Sequence, residues 1–303
     1  MSDRPRLGAS LYVPATHSDL CAIAAGTKLA AVRSLIFCTE DAVAPHDLPC
    51  ALDNLATALE HLQPREGCLR FVRVRNPDVL DRLLTIPSVH RLDGFVFPKI
   101  SLHNIDDYFD RMACGPQNHF WVMPTLETRE VFHDAAMHAL AEHLDRAPWR
   151  AQILGLRIGG NDLLALLRMR RPKGRTIYET PLGHVIARLA TTFIPYGFPL
   201  SAPVFEHYAD TATLEREIVQ DLHHGLTGKT AIHPTQVPLI ERHYRVAHQD
   251  LEAAMRILGD DAPGVFSLHH SMCEPSTHRP WANEIVAAAR QFGCVPNAME
   301  SME

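Results

Sequence analysis

Apolar and polar positions along the chain alternate between two regular patterns. Short apolar runs recur at LGASLYV (7–13), RSLIFC (33–38), LRFVRV (69–74), GFVFP (94–98), HFWVMP (119–124), ILGLRI (153–158), FPLSAPV (198–204) and KTAIHP (229–234). Each has the length of a strand buried on both faces. Between most of them lie longer stretches with helical spacing of apolar residues. Examples are LDNLATALEHL (52–62), EVFHDAAMHALAEHL (130–144), TPLGHVIARLATTF (180–193) and ATLEREIVQDLHHGL (212–226).

Strands alternating with helices imply parallel pairing. Eight such units in about 235 residues predict an α/β fold, a closed (β/α)8 TIM barrel. The structural rival is an open, doubly wound sheet. No G-x-G-x-x-G follows the first run, so nothing supports a dinucleotide crevice. The barrel is assigned to residues 1–245. Beyond His233-Pro234, VPLIERHYRVAHQDLEAAMRILG (237–259) reads as one long helix. A polar, turn-rich stretch follows, and WANEIVAAARQFG (281–293) reads as a last helix. Residues 246–303 are therefore expected to form a C-terminal helical extension that packs on the barrel or on a neighbouring subunit.

Composition narrows the function classes. The chain has 303 residues, 46% hydrophobic and 21% charged, which suits a soluble domain with a large core. Its net charge of −6 argues against a nucleic-acid partner. No run reaches the length of a membrane span, and no apolar signal core precedes the first strand. Seven cysteines are dispersed without a C-x-x-C pair, as expected for reduced thiols in a cytoplasm. Nineteen histidines include no H-E-x-x-H, so a zinc site has little support.

In a (β/α)8 barrel the chemistry sits at the C-terminal strand ends. Glu127 and Asp162 end adjacent strands and make a natural pair for Mg²⁺, which takes one or two protein carboxylates. Alone, Asp162 reads as a helix N-cap and Glu127 as a first-turn acid. Their placement at one mouth favours the metal. Arg73 lies within an apolar strand, where an unpaired charge is costly. Glu40 is its expected internal partner, and its fork of donors suits a substrate carboxylate. Lys99 follows the fourth strand and reads either as a substrate-oxygen ligand or as a solvated loop residue. The segment RMRRPKGRT (168–176) reads either as a solvated helix end or as a clamp in which Arg171 and Arg175 bind an acidic part of the substrate.

Several segments carry a family resemblance in their order along the chain. They are LYVPA (11–15), TEDAV (39–43), the Arg73 strand, DGFVFPK (93–99) and the Pro-x-x-Glu-Thr of 124–128. The glycine–aspartate segment around Gly159, Gly160 and Asp162 and the run LTGKTAIHPTQV (226–237) complete them. Together they resemble the aldolase/citrate lyase (HpcH/HpaI-type) family, in its citrate-lyase β-subunit branch. The tail CEPSTHRPWANEI (273–285) resembles a subgroup of carbon–carbon bond lyases of the TIM-barrel fold.

The resemblance implies Mg²⁺ on Glu127 and Asp162 and a 2-oxo acid held by Arg73. It adds Glu40 and Asp41 to the catalytic set. One departure stands out: the family's second strand usually ends Asp-Leu-Glu-Asp, whereas this chain has Cys38-Thr39-Glu40-Asp41. The expected activity is a Mg²⁺-dependent carbon–carbon lyase or aldolase working through a metal-stabilised enolate. Its substrate is a 2-oxo acid or an acyl-CoA, with coenzyme A as part of the substrate. Glu274 is a candidate general acid/base delivered by a neighbouring subunit. The resemblance further implies a homo-oligomer, a trimer or hexamer, with its tail near a neighbour's mouth. Two rivals remain: a non-catalytic small-molecule-binding barrel, and an acyl-CoA thioester hydrolase.

Overall fold

The computed structural model describes residues 4–63, 67–115 and 120–295. His119, at the start of the fifth apolar run, and residues 296–303 of the tail lie outside the described residues. The eight runs form parallel strands: β1 (Gly8–Pro14), β2 (Ser34–Cys38), β3 (Leu69–Arg73), β4 (Gly94–Phe97), β5 (Trp121–Leu126), β6 (Leu156–Ile158), β7 (Leu200–Ala202) and β8 (Gly228–Ala231). Each pairs with the next, and β8 pairs back to β1, which closes the barrel in sequence order. The fold is the expected (β/α)8 TIM barrel.

The runs are apolar on both faces because both faces are covered. Inside, Ile36, Phe71, Val96 and Met123 pack with Leu7 and Leu154 in one cluster. Their neighbours Phe37, Val72, Phe95 and Val122 point the other way and are equally buried beneath the helices. β6 is shorter than its apolar run: Ile153 makes only an isolated bridge to Val122. The helical run 130–144 divides into a 3-10 turn, Arg129–Phe132, and a helix, Asp134–Arg146.

The chain divides into two compact units. One is Leu7–Val237; the other joins its N-terminal residues to the segment from Pro238 onward. The division falls within the helix Gln236–His243, ahead of the boundary expected after residue 245. In the second unit the expected long helix is two, Gln236–His243 and His248–Leu258. Between them Val246–Ala247 form a short strand in parallel with Cys294–Val295. The amide of Val246 donates to the Gly293 carbonyl at 3.0 Å. The period continues across the break because both helices bury an apolar stripe. The strand bond, formed with residues nearly fifty positions away, is invisible to local pattern.

The turn-rich stretch contains a hairpin, Phe266–Leu268 with Ser271–Cys273. Its tip, His269-His270, takes φ of 50° and 61°, the left-handed pair that a two-residue hairpin turn demands. The final helix, Pro275–Phe292, starts before the expected Trp281, with Pro275 in its first turn, where no amide is needed. Ala254, Ile257, Cys273 and Ala282 form this unit's core, with Ile285 and Val286 against it. Among the described residues no helix is long and apolar enough to cross a membrane.

Candidate active site

The sequence places acids and bases at successive strand ends, and the barrel brings most of them together. Arg73 ends β3. Its Nη2 lies 2.8 Å from Glu40 Oε2, 3.2 Å from Asp41 Oδ2 and 3.0 Å from Glu127 Oε1. Three carboxylates thus share one buried guanidinium, and its protonated form is strongly favoured. Thr39, on the turn after β2, donates its hydroxyl to the Arg73 carbonyl at 2.8 Å and ties the two strand ends together. Arg75 holds the same turn: it donates to the carbonyl of Thr39 at 3.2 Å and to that of Glu40 at 2.9 Å.

Lys99 follows β4 at φ 51°, a left-handed conformation unusual for a lysine. The turn aims its amide at Glu127 Oε1, 2.8 Å away. Its ammonium pairs with Glu40, sits 3.3 Å from Asp41 and lies 3.8 Å from Asp162. Burial lowers the pKa of this amine, but the carboxylates outweigh burial and raise it. Burial raises the Glu40 carboxyl above the usual range despite Arg73. Burial pushes Asp41 up as well, but contacts with Glu40, Arg73 and Lys99 prevail and hold it low.

Glu127 follows β5 and is 2% exposed. Burial, with the charges of Asp162 and Glu40 adding to it, pushes its carboxyl up to about 7 against the pull of Arg73 and the Lys99 amide. Oε1 accepts both of those donors, whereas Oε2 is buried without a hydrogen-bond partner. Asp162 lies in the first turn of the helix Gly160–Leu166. The N-cap is Gly159, and no side chain caps this helix, so Asp162 is not a cap. Its carboxylate is part-exposed at the rim and faces Lys99. Gly159 is required by close approach: a Cβ there would stand 2.1 Å from Glu127 Oε2.

Arg171 and Arg175 lie elsewhere. Arg171 is fully buried, pairs with Glu217 and donates to the Val204 carbonyl at 2.6 Å. Glu217 also meets Lys229 Nζ at 3.0 Å, and Lys229 meets Asp221 at 2.7 Å. Arg171 also lies 3.5 Å from Glu206, and the cluster packs outside the β8 strand and anchors the loop after β6. The expected clamp is corrected here: the Arg171 guanidinium is consumed internally. Arg175 is exposed and pairs with Glu179 at 2.7 Å. Neither pairs with Glu40, Asp41, Glu127 or Asp162. His233 stacks on Tyr208, with centroids 4.6 Å apart, and shapes the loop after β8. Glu274, in the second unit, occupies the N-cap position of the last helix.

The structure adds two residues that the sequence reading passes over, Tyr12 and Arg157. The guanidinium carbons of Arg73 and Arg157 lie 6.0 and 5.4 Å from the centroid of the Tyr12 ring. Arg157 carried the same signal as Arg73, a charge inside an apolar strand.

Could these residues hold Mg²⁺? The donors are oxygens, one of them a buried carboxylate oxygen with no other partner. Among the described residues no cluster of three or more His, Cys, Asp and Glu is placed for a metal. A site of one or two carboxylates is what Mg²⁺ uses when substrate and water supply the rest. Glu127 and Asp162 fit that requirement.

A closed parallel barrel with an arginine, a lysine and four carboxylates gathered at its C-terminal mouth has the place and the composition of a (β/α)8 enzyme's active site. The chain belongs to the family of carbon–carbon bond lyases of the TIM-barrel fold, whose model matches residues 1–294. Among curated proteins it is 27% identical to a (3S)-malyl-CoA thioesterase of Cereibacter sphaeroides, over 81% of this chain and 80% of that one. Among solved structures it resembles the CitE protein of Mycobacterium tuberculosis in complex with magnesium, acetoacetate and coenzyme A. The TM-score is 0.67 at 21% identity, over 96% of this chain and 99% of the other. A citrate lyase β subunit from M. tuberculosis complexed with oxaloacetate and magnesium gives 0.59 at 21% identity, over 81% of this chain and all of the other, 100%.

Proposed function

We propose that this enzyme is a Mg²⁺-dependent carbon–carbon bond lyase or aldolase acting on a 2-oxo acid or an acyl-CoA-type substrate. The observation that carries it is Glu127: a buried carboxylate with one oxygen fixed by Arg73 and Lys99 and the other unpartnered against Gly159. The names of the solved relatives, bound to magnesium with acetoacetate or oxaloacetate, support the same substrate class. Glu127 and Asp162 would hold the ion, which when bound supplies a Lewis acid for the oxo-acid oxygens.

The protein's own groups do the rest. Arg73 sets a fixed positive charge where enolate charge develops as the bond breaks. Glu40 and Asp41 hold Arg73 and Lys99 in place, so those cations need not reorganise during reaction. Lys99, half-exposed at the rim, is placed to meet a substrate oxygen. The buried mouth of the barrel strengthens each of these interactions. Coenzyme A enters as part of the substrate.

The experiment is a product assay with Mg²⁺ and 2-oxo acids or β-hydroxyacyl-CoA thioesters. Cleavage to two carbon fragments, abolished by chelation and by Asp162→Ala, is the expected result. Release of free thiol with the carbon skeleton intact would favour the thioester hydrolase named by the curated relative. Binding without turnover would leave a small-molecule-binding barrel.

The assembly is read as a homo-oligomer, a trimer or hexamer, in a cytoplasm. Exposed Met255, Val265, Met272 and Trp281 in the second unit support an oligomer. Light scattering on the full chain tests it, and a 33.9 kDa particle at micromolar concentration would refute it.

A further inference from the structure

Arg157 is among the largest fully buried side chains of the protein. A buried cation is ordinarily matched by a carboxylate. Arg73, three strands away, has three. Arg157 pairs with none among the described residues. Its Nη2 donates to Thr230 Oγ1 at 2.5 Å, and its Nη1 meets only the sulfur of Met123 at 3.7 Å. The Tyr12 ring face supplies a weak third contact.

The strands on either side make the imbalance larger. Thr125 on β5 and Ser201 on β7 are the register partners of Arg157. Residues in one register row share a face of the sheet, so all three point into the barrel. Thr125 is 3% exposed and Ser201 is 4% exposed, and neither hydroxyl has a hydrogen-bond partner. Two unmatched hydroxyls and one unmatched cation thus stand side by side in the buried interior of the barrel. Their position is specific: Thr125 lies two residues before Glu127, and Arg157 two before Gly159. The row sits one step down the strands from the carboxylate pair.

Resting on the function proposed above, we propose that Arg157 is a specificity residue. With Thr125 and Ser201 it forms an anion-binding row that accepts the second carboxylate of a dicarboxylic oxo-acid substrate, while Arg73 serves the reacting end. One carboxylate offers enough lone pairs for the guanidinium and both hydroxyls. Tyr12, half-buried, lies with its ring between the two arginines. A monocarboxylic oxo acid leaves the row unmatched and is discriminated against for that reason.

The test is calorimetric binding of oxaloacetate and pyruvate to the full-length protein with saturating Mg²⁺. Wild type is expected to bind oxaloacetate at least about tenfold tighter than pyruvate. Arg157→Met should reduce that preference below about threefold, with pyruvate and Mg²⁺ affinities unchanged. The same variant should melt at a higher temperature, because an unmatched buried cation has been removed. A merely structural arginine would give the opposite shift. Thr125→Val with Ser201→Ala should also weaken oxaloacetate selectively. That double variant decides the matter should Arg157→Met fail to fold. A wild-type protein without preference, or a preference that survives in the folded variants, overturns the inference alone. Failure of wild type to bind either oxo acid removes the 2-oxo-acid branch of the proposed function and this inference with it.

Discussion

A methyl group on Gly159 would stand 2.1 Å from Oε2 of Glu127. The glycine hydrogen is therefore part of the site, since it leaves room for a carboxylate against the start of the next helix. Its φ of −86° suits any residue, so the requirement is steric and not conformational. Gly159→Ala should displace Glu127, lower stability by about 1–3 kcal/mol and abolish Mg²⁺ binding. Thermal melts and calorimetric titration check the two effects separately.

The raised carboxyl of Glu127 makes the stability of chelator-treated protein depend on pH. Its folded pKa of about 7 lies above the ordinary 4.5, so between these values the folded state binds more protons than the unfolded state. Stability from this group is complete below pH 4.5 and falls as pH rises through 7, by about 3 kcal/mol in all. Denaturant midpoints at pH 5 and pH 8 should differ more for wild type than for Glu127→Gln. Equal differences would refute the assignment.

Arg73 contacts three carboxylates, so its removal has a structural and a functional component. Arg73→Ala should cost about 3–5 kcal/mol, because Glu127 stays buried without its cation and Glu40 keeps only Lys99. Arg73→Lys keeps the charge and loses the fork. It should fold and bind a 2-oxo acid about tenfold more weakly, a difference of about 1.4 kcal/mol.

The loop after β6 separates its arginines. Arg171→Ala leaves Glu217 short of a partner in a dry cluster and should destabilise by about 3–5 kcal/mol. Arg175→Ala touches a solvated pair and should change stability negligibly. Substrate affinity measured on Arg171→Lys tests whether the loop acts on the site at all.

What the sequence revealed, and what it withheld, follows range of interaction. The barrel was legible because eight apolar runs and the helices between them are local patterns. The convergence of Arg73, Glu127 and Asp162 followed from topology, since a closed barrel gathers its strand ends. Arg171 was misread because its partner, Glu217, faces it from a helix far along the chain, and a basic run looks alike solvated or buried. Asp162 looked like a cap because Asn and Asp often cap, yet Gly159 occupies that position. The interruption at Val246 depends on pairing with Cys294. Arg157 is one charge within the apolar run ILGLRI, and what distinguishes it, the absence of a carboxylate beside it among the described residues, depends on neighbouring strands far along the chain.

The two oxygens of Glu127 are not equivalent, and this fixes where its hydrogen resides. Oε1 already accepts from Arg73 and from the Lys99 amide, so the proton taken up near neutrality resides on Oε2. That is also the only oxygen of the group with a lone pair to offer. A divalent ion held by Glu127 would therefore compete with that proton at a single atom. Well below pH 7, uptake of a divalent ion there should eject close to one hydrogen ion into the buffer, and near pH 7 about half of one. Titration heats should then scale with the ionisation enthalpy of whichever buffer is present.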